Sequence, residues 1–555
     1  MLRVYTGENC LLSGELTRRI GDALAREDAV QYIVVPKQLT LFTERLLLSG
    51  LKLPGSFRLR VLSPARLCSR IFEEAGMPRG VRVDERGRVM LVRQAIRAAG
   101  GLTIYKNADR RRGFADRCAR QLELFVQGGV TAESLRQCAL DSEGMTRMKL
   151  NDLASILENY TELIAGRYQD GDTEMTEAAL RAGKASFVRE SHFWFFGFDI
   201  TPPTLNRLIG EVAAHSPDAE LFFPLGGREG ERDYDSARPL EKALGRMVAA
   251  CRDAGAQMER IRLNPPADGG ELRFLARELY AYPAKSHSEA VKHVHLAYAR
   301  DVREECMLAA AIARKCAMDG LHYSDIQLLS MDMEGYRQGL IEAFGVYDVP
   351  LFLESSRPVS RMATAECLLT ALRLIDKNFR SEDVFTLMRC GYMDISRDEA
   401  DRLANYAVRR GIDGSRWLRP LNRGSDVEIE ELEPIRARLM APVAKLRDDL
   451  KSAKDLKGQL SAVFGFLTEI NAHGRSLELQ KELNDSGMRE TAGALGQSWN
   501  RIIGALDQMA ALMGEAKLSL RELTQTLTES LEAAVVKPLP QSGDAVYAQS
   551  MSRML

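Results

Sequence analysis

Leu2-Arg3-Val4-Tyr5-Thr6-Gly7-Glu8-Asn9-Cys10-Leu11-Leu12-Ser13-Gly14 opens the chain, and the fold class turns on how it is read. Residues 3–6 have the apolar, β-branched and aromatic character of a buried strand, and helical spacing of apolar residues sets in over 14–25. Beyond them, Tyr32-Ile33-Val34-Val35 is a second strand stopped by Pro36, and 39–49 resumes helical periodicity. Residues 57–62 alternate as a third strand. Ser63 suits a helix N-cap and Pro64 the first turn behind it. Strands and helices alternating at this spacing imply βαβ units and a parallel sheet.

From about 83 to 185 strand character vanishes, and Leu150, Leu153, Ile156, Leu157, Tyr160, Leu163 and Ile164 recur at helical spacing. Strands return at 193–196, before a turn at Gly197, and at 221–223. A Pro- and Gly-rich loop, 264–270, precedes a second α/β unit with strands expected at 293–297, 326–330 and 351–353. Helices dominate again from 363 to 534, and 535–555 regains β character. The expected fold class is therefore α/β, with two parallel-sheet domains each interrupted by an α-helical insertion subdomain. Residues 1–78 and 187–285 form the first domain around the insertion 79–186. Residues 286–356 and 535–555 form the second around 357–534, ending as though its sheet were cut short. With 555 residues the chain exceeds what one hydrophobic core organises.

The loop between the first strand and helix is where a parallel α/β fold cradles phosphate. The pattern G-x-x-x-x-G-K-[ST] supplies backbone amides, a lysine for the phosphates and a hydroxyl for magnesium. Aligned on Gly7, the lysine position holds Ser13 and the hydroxyl position Gly14, while Glu8 adds negative charge. Gly7, Ser13 and Gly14 thus mark a degenerate phosphate loop without its cation. The second nucleotide-binding strand ordinarily ends in an acid that holds magnesium. Here it ends in Phe196, and Asp199 beyond the turn is expected to cap the next helix.

Two split α/β domains resemble the plan of superfamily-one helicases, built on two RecA-like (P-loop NTPase-type) domains. More specific segments follow. Val34-Val35-Pro36-Lys37-Gln38-Leu39-Thr40 with Thr43-Glu44 resembles the V-P-x-Q-x-T segment of the AddB family. Val61-Leu62-Ser63-Pro64-Ala65-Arg66-Leu67 resembles its V-L-S-x-x-R-L. Gly197-Phe198 with Thr201-Pro202 is similar to its D-G-F…T-P, without the Asp. Tyr323-Ser324-Asp325-Ile326-Gln327-Leu328-Leu329-Ser330-Met331-Asp332 resembles its Y-x-D-I-x-V-L-x-R-D. Phe344, Tyr347, Pro350 and Phe352 continue the match, as do Asn405-Tyr406 and Gly411-Ile412-Asp413-Gly414 with Trp417. The order of these segments across most of the chain carries the resemblance.

The resemblance implies a helicase-like subunit of an ATP-dependent helicase–exonuclease in double-strand-break repair, paired with an AddA-type subunit. It implies single-stranded and duplex-end DNA as ligand, a nuclease domain in a C-terminal half beyond these residues, and an iron–sulfur cluster there in many members. Ser13, Phe196 and Met331, the last where the family has an arginine, depart together and point to a non-hydrolysing scaffold with no cofactor in this part. The alternatives are an active ATP-dependent helicase, or a helical interaction protein without DNA affinity. Carried over, Gln38, Thr40, Arg66 and Phe198 become DNA-binding candidates. Gln and Thr can bond base edges, Arg can pair with guanine or phosphate, and an aromatic ring can stack on an unpaired base.

Net charge is −1, so overall electrostatics gives no argument for nucleic acid. Between Arg58 and Arg120, however, 16 Lys and Arg face 6 Asp and Glu, a local excess of 16 − 6 = +10, densest at Arg110, Arg111 and Arg112. Such a stretch can neutralise phosphates, or it can be a solvated helical face. The nine cysteines are scattered without a C-x-x-C pair, as reduced structural thiols would be. His293 and His295 share a strand face without a convincing third ligand, so no metal is expected. No apolar run reaches the roughly 18 residues of a membrane helix, and a cytoplasmic location is expected.

Overall fold

The computed structural model describes residues 1–551 apart from 27, 109, 110, 112, 227–231, 233, 265–269, 354–356, 514–516 and 537–542. Its first sheet comprises β1 (Leu2–Thr6), β2 (Gln31–Val34), β3 (Leu59–Leu62), β4 (His192–Phe196), β5 (Asp218–Phe223) and β6 (Met258–Arg262). Their order is β3-β2-β4-β5-β1-β6, with every pairing parallel. The inner strands β2 and β4 are buried and apolar on both faces, as a sheet covered twice requires, whereas the edge strands β3 and β6 carry exposed Arg60, Glu259 and Arg260. Ile33, Trp194, Phe196 and Phe222 point to one side, against Leu12, Leu16 and Ile20 of α1 (Asn9–Arg26) and Leu47 of α2 (Thr40–Gly50). Val34, Phe193, Phe195 and Leu221 point to the other, against Leu67 and Ile71 of α3 (Pro64–Ala75) and Leu208 and Val212 within Pro203–His215.

Ser63 caps α3 as expected, its hydroxyl accepting from the Arg66 amide at 3.4 Å, with Pro64 at the first position. Beneath α1, Glu220 on β5 is 3% exposed and is bonded by both Arg3 and Arg19. Arg19 also lies 5.0 Å over the Tyr5 ring.

Among the described residues the 83–185 stretch holds helices and loops with one short strand, Tyr168–Gln169, paired in parallel with Val81–Arg82 just before it. Residues 171–186, inside the stretch expected as the insertion, pack against α3 and the Pro203–His215 helix, which cover the first sheet. Ala178, Ala179, Ala182 and Ala185 are small enough to let that turn approach closely, and all are buried in the core of the first sheet. The second sheet has β7 (Gln327–Ser330), β8 (Leu351–Leu353) and β9 (Val546–Ser550), in the order β8-β9-β7 and all parallel. The segment near the end of the chain is thus its central strand.

The strand expected at 293–297 is not formed. Leu296 is 80% exposed, and the amides of Lys292 and His293 are taken by Glu271 of the preceding helix, so no ladder forms there. The two helical stretches, distant in sequence, share one hydrophobic core that joins Val89, Val92 and Ile96 to Leu523, Leu527 and Leu531. Across it Arg93, 2% exposed, pairs with Glu529, 3% exposed, and donates to Thr526 at 3.3 Å. Among the described residues no helix is long and apolar enough to cross a membrane.

Candidate nucleic-acid interface

In a parallel sheet all strands point one way, so the loops that follow them emerge along a single edge, where open α/β sheets take ligands. The strand order places the loops after β3, β2 and β4 side by side. At about 4.8 Å per strand they cover roughly 10 Å, and the loop after β1 lies roughly 10 Å further along. Gln38 and Thr40 follow β2, Arg66 follows β3, and Phe198 follows β4. Pairing order, invisible in the sequence, makes them neighbours.

Behind β2, Pro36 opens a single 3-10 turn, Lys37–Leu39, closed by Leu39 N–H donating to the Pro36 carbonyl at 2.9 Å. The Thr40 hydroxyl donates to the Lys37 carbonyl at 3.0 Å, which secures that turn and leaves its lone pairs as acceptors. Lys37 and Gln38 are exposed. Behind β3, the side chain of Arg66 is exposed on the first turn of α3 and lines a cleft of about 840 Å³. Arg60, Ser69 and Arg70 share that lining, as do Glu73, Glu74 and Glu190. Arg70 is held by Glu73 at 2.8 Å and Glu74 at 3.1 Å, whereas Arg60 and Arg66 have no carboxylate partner among the described residues.

Behind β4 the expectation changes. Gly197 takes φ 77°, a turn most side chains resist, and directs Phe198 inward, where it is 3% exposed in the core. Its ring packs and presents no face to a base. Asp199 does not cap the next helix. Its Oδ1 accepts from the Ile200 amide at 2.6 Å, while Pro202 occupies the N-cap without a side-chain bond.

The degenerate phosphate loop is also altered in shape. Helix α1 begins at Asn9, not near residue 14, so only Gly7 and Glu8 separate it from β1. Ser13 and Gly14 lie inside the helix, and the Ser13 hydroxyl is spent on the Cys10 carbonyl at 3.0 Å. A Cβ on Gly7 would stand 3.2 Å from the carbonyl oxygen of Leu263, so the loop after β6 is packed against this turn. Glu8 binds Arg273 at 3.1 Å. Among the described residues an ATP phosphate would meet no lysine, no free hydroxyl and a carboxylate already in place, so these residues do not fit a nucleotide–magnesium group. Met331, after β7, is 80% exposed.

The basic stretch is largely built into the fold. Arg58, Arg70, Arg82, Arg88, Arg93, Arg97 and Arg120 pair with Asp28, Glu73, Glu174, Glu123, Glu529, Glu522 and Asp116. Most of these carboxylates lie far away in sequence, which is why a local count overstated the positive field. Arg111 is exposed, and Arg110 and Arg112 lie outside the described residues. Burial pushes the thiols of Cys68, Cys118 and Cys251 up to about 12, leaving them protonated and unreactive at neutral pH. No three His, Cys, Asp or Glu side chains among the described residues form a metal-binding group.

One feature of this edge was missed by sequence reasoning. Leu41 and Phe42 on α2 are 45% and 58% exposed, beside exposed Arg45. The clue was available: Thr43 and Leu47 form the buried i, i+4 pair, so Leu41 and Phe42 must face away from it.

Comparison with known proteins gives one family match and several relatives of one name. Residues 13–277 match the family described as ADDB, N-terminal. The B-subunit of an ATP-dependent helicase/deoxyribonuclease from Alkaliphilus metalliredigens is 24% identical over 99% of this chain and 50% of its own length. The proteins of the same name from Alkaliphilus oremlandii and Clostridium botulinum (strain Hall) are each 25% identical. They are matched over 94% and 100% of this chain, and over 48% and 50% of themselves. The chain therefore spans about half the length of the curated relatives it matches.

Proposed function

We propose, since this chain is of the AddB type, that it is a non-hydrolysing, DNA-holding scaffold within the B-subunit of a helicase/deoxyribonuclease. In this reading it works beside an AddA-type motor on the ends of broken duplexes, in the cytoplasm. Its two α/β units are read as RecA-like domains. The placing of β5 between β1 and β4, which separates the phosphate-loop strand from the second nucleotide strand, supports that reading.

The observation that carries the proposal is a contrast along one sheet edge. At β1 the turn is two residues long, filled by Leu263 and closed by the Glu8–Arg273 pair. At β2 and β3 the loops present Lys37, Gln38 and Arg66 to solvent. Hydrolysis needs a phosphate cradle, a lysine and a magnesium ligand, and among the described residues groups for none of these stand at the first site. Strand holding needs cations for phosphates and donors for base edges, and these are present a few strands away.

The test is binding of labelled single-stranded and duplex DNA, followed by fluorescence anisotropy at two salt concentrations. Salt-sensitive binding is expected, and Arg66→Ala should weaken it and lower the salt slope by about 1. Failure of folded protein to bind DNA at low salt would refute DNA holding and favour a helical interaction protein. ATP turnover would instead favour an active helicase.

A further inference from the structure

We propose that the exposed face of α2, with Phe42 on its first turn, is a stacking platform for the bases of a single strand, which makes this edge prefer unpaired over duplex DNA. This rests on the reading of the edge as a DNA-holding face and adds to it the residue that would select strand form without reading sequence.

The helical period puts Leu41, Phe42, Arg45 and Ser49 on one stripe about 100° wide, opposite Thr43 and Leu47. An aromatic ring 58% exposed beside a leucine 45% exposed leaves apolar surface in water, on a helix whose other face already supplies its packing. The stripe begins where the 3-10 turn presents Lys37 and Gln38, and Arg45 follows one turn later. Neither Lys37 nor Arg45 has a carboxylate partner among the described residues, nor does Arg66 on the neighbouring loop. Glu44 is exposed at the flank of the stripe, so the cations outnumber it on this face.

A flat ring with cations on either side fits an unpaired strand. Bases can lie on the ring while phosphates reach the cations, whereas the bases of a duplex are already stacked on one another. A protein partner would use the apolar stripe but not need the cations around it. Phe42 takes the role first expected of Phe198, on the loop next door.

Phe42→Ala, Phe42→Trp and Arg66→Ala would be compared by anisotropy on a single-stranded oligonucleotide, the same length of abasic strand, and a duplex. Phe42→Ala is expected to lose roughly 5- to 150-fold in affinity for the strand with bases. It should leave the abasic strand and the duplex within about twofold, while Phe42→Trp retains binding and its fluorescence is quenched by the base-bearing strand. Because Phe42 is a surface residue, unchanged circular dichroism and thermal midpoint are expected for both variants. Equal binding of the base-bearing strand by wild type and Phe42→Ala, with Arg66→Ala still weakened, would overturn the platform and leave the DNA-holding edge standing. Equal loss on all three ligands would overturn stacking as well. No binding by wild type would overturn both readings together.

Discussion

Glu529→Ala should be among the most destabilising single changes in this protein, because of what it leaves behind. The carboxylate is 3% exposed and accepts from Arg93, itself 2% exposed, and from Gln525 at 3.2 Å. Arg93 stands in the first helical stretch, on Glu85–Ala98, and Glu529 in the second, on Leu520–Ala533. Truncation strands a guanidinium in the core that joins the two, and breaking such a pair costs about 3–5 kcal/mol. That is a large share of the roughly 5–15 kcal/mol by which proteins are stable. Replacing both partners by apolar side chains, Arg93→Met with Glu529→Leu, removes the stranded charge and should recover at least half the loss. Urea unfolding followed by far-ultraviolet circular dichroism on both variants and wild type reads the difference. Burial, the larger influence, raises the Glu529 carboxyl above its ordinary value despite Arg93. A raised folded value means stability from this group is fullest below the unfolded value near 4.5 and declines as pH rises through the folded one. The Glu529→Leu double variant should lack that decline. A cost below about 1 kcal/mol for Glu529→Ala, or a double variant no better than the single, would refute the argument.

Two further outcomes follow from the same structure. Ser13→Lys restores the residue type of a phosphate loop but not its shape, since α1 starts at Asn9. No ATP turnover above wild type is expected in a coupled hydrolysis assay, and measurable turnover would show that the missing cation alone had silenced the site. Asp544 accepts from the Ser324 amide at 2.7 Å, and that bond holds its carboxyl below the ordinary value. A lowered folded value gives stabilisation that is present above the unfolded value near 3.8 and lost as pH falls through the folded one. The Ser324 amide should therefore lose hydrogen-exchange protection as the pH drops below about 4, and Asp544→Ala, which removes the acceptor, should expose it at every pH.

Wherever a neighbour in sequence was enough to specify the backbone, the reading and the structure agree. Ser63-Pro64 started a helix because cap and first-turn chemistry act within four residues. Five strands of the first sheet were legible, the inner ones because a strand covered on both faces must be apolar throughout, as Phe193-Trp194-Phe195-Phe196 is, whereas the charged edge strand Met258–Arg262 escaped the reading. Residues 293–297 alternate as a strand can but formed none, because a ladder needs a partner and Glu271 took the Lys292 and His293 amides. Gly7-Glu8 misled in the opposite direction: the residues showed that the lysine was missing, not that the helix had moved up to fill its loop.

Residue type and short-range spacing were enough for the α/β class, the helical stretches, the missing phosphate-loop cation and the family resemblance. Which loops are neighbours, and which arginines are free, came from the packing of the whole chain. The order β3-β2-β4 brings Gln38 beside Arg66, and Glu529 removes Arg93 from any basic face across more than four hundred residues of chain. Packing also exchanged the aromatic candidates, burying Phe198 and leaving Phe42 in water. Exposure and charge pairing are properties of a packed surface, made by contacts between residues that no local pattern relates.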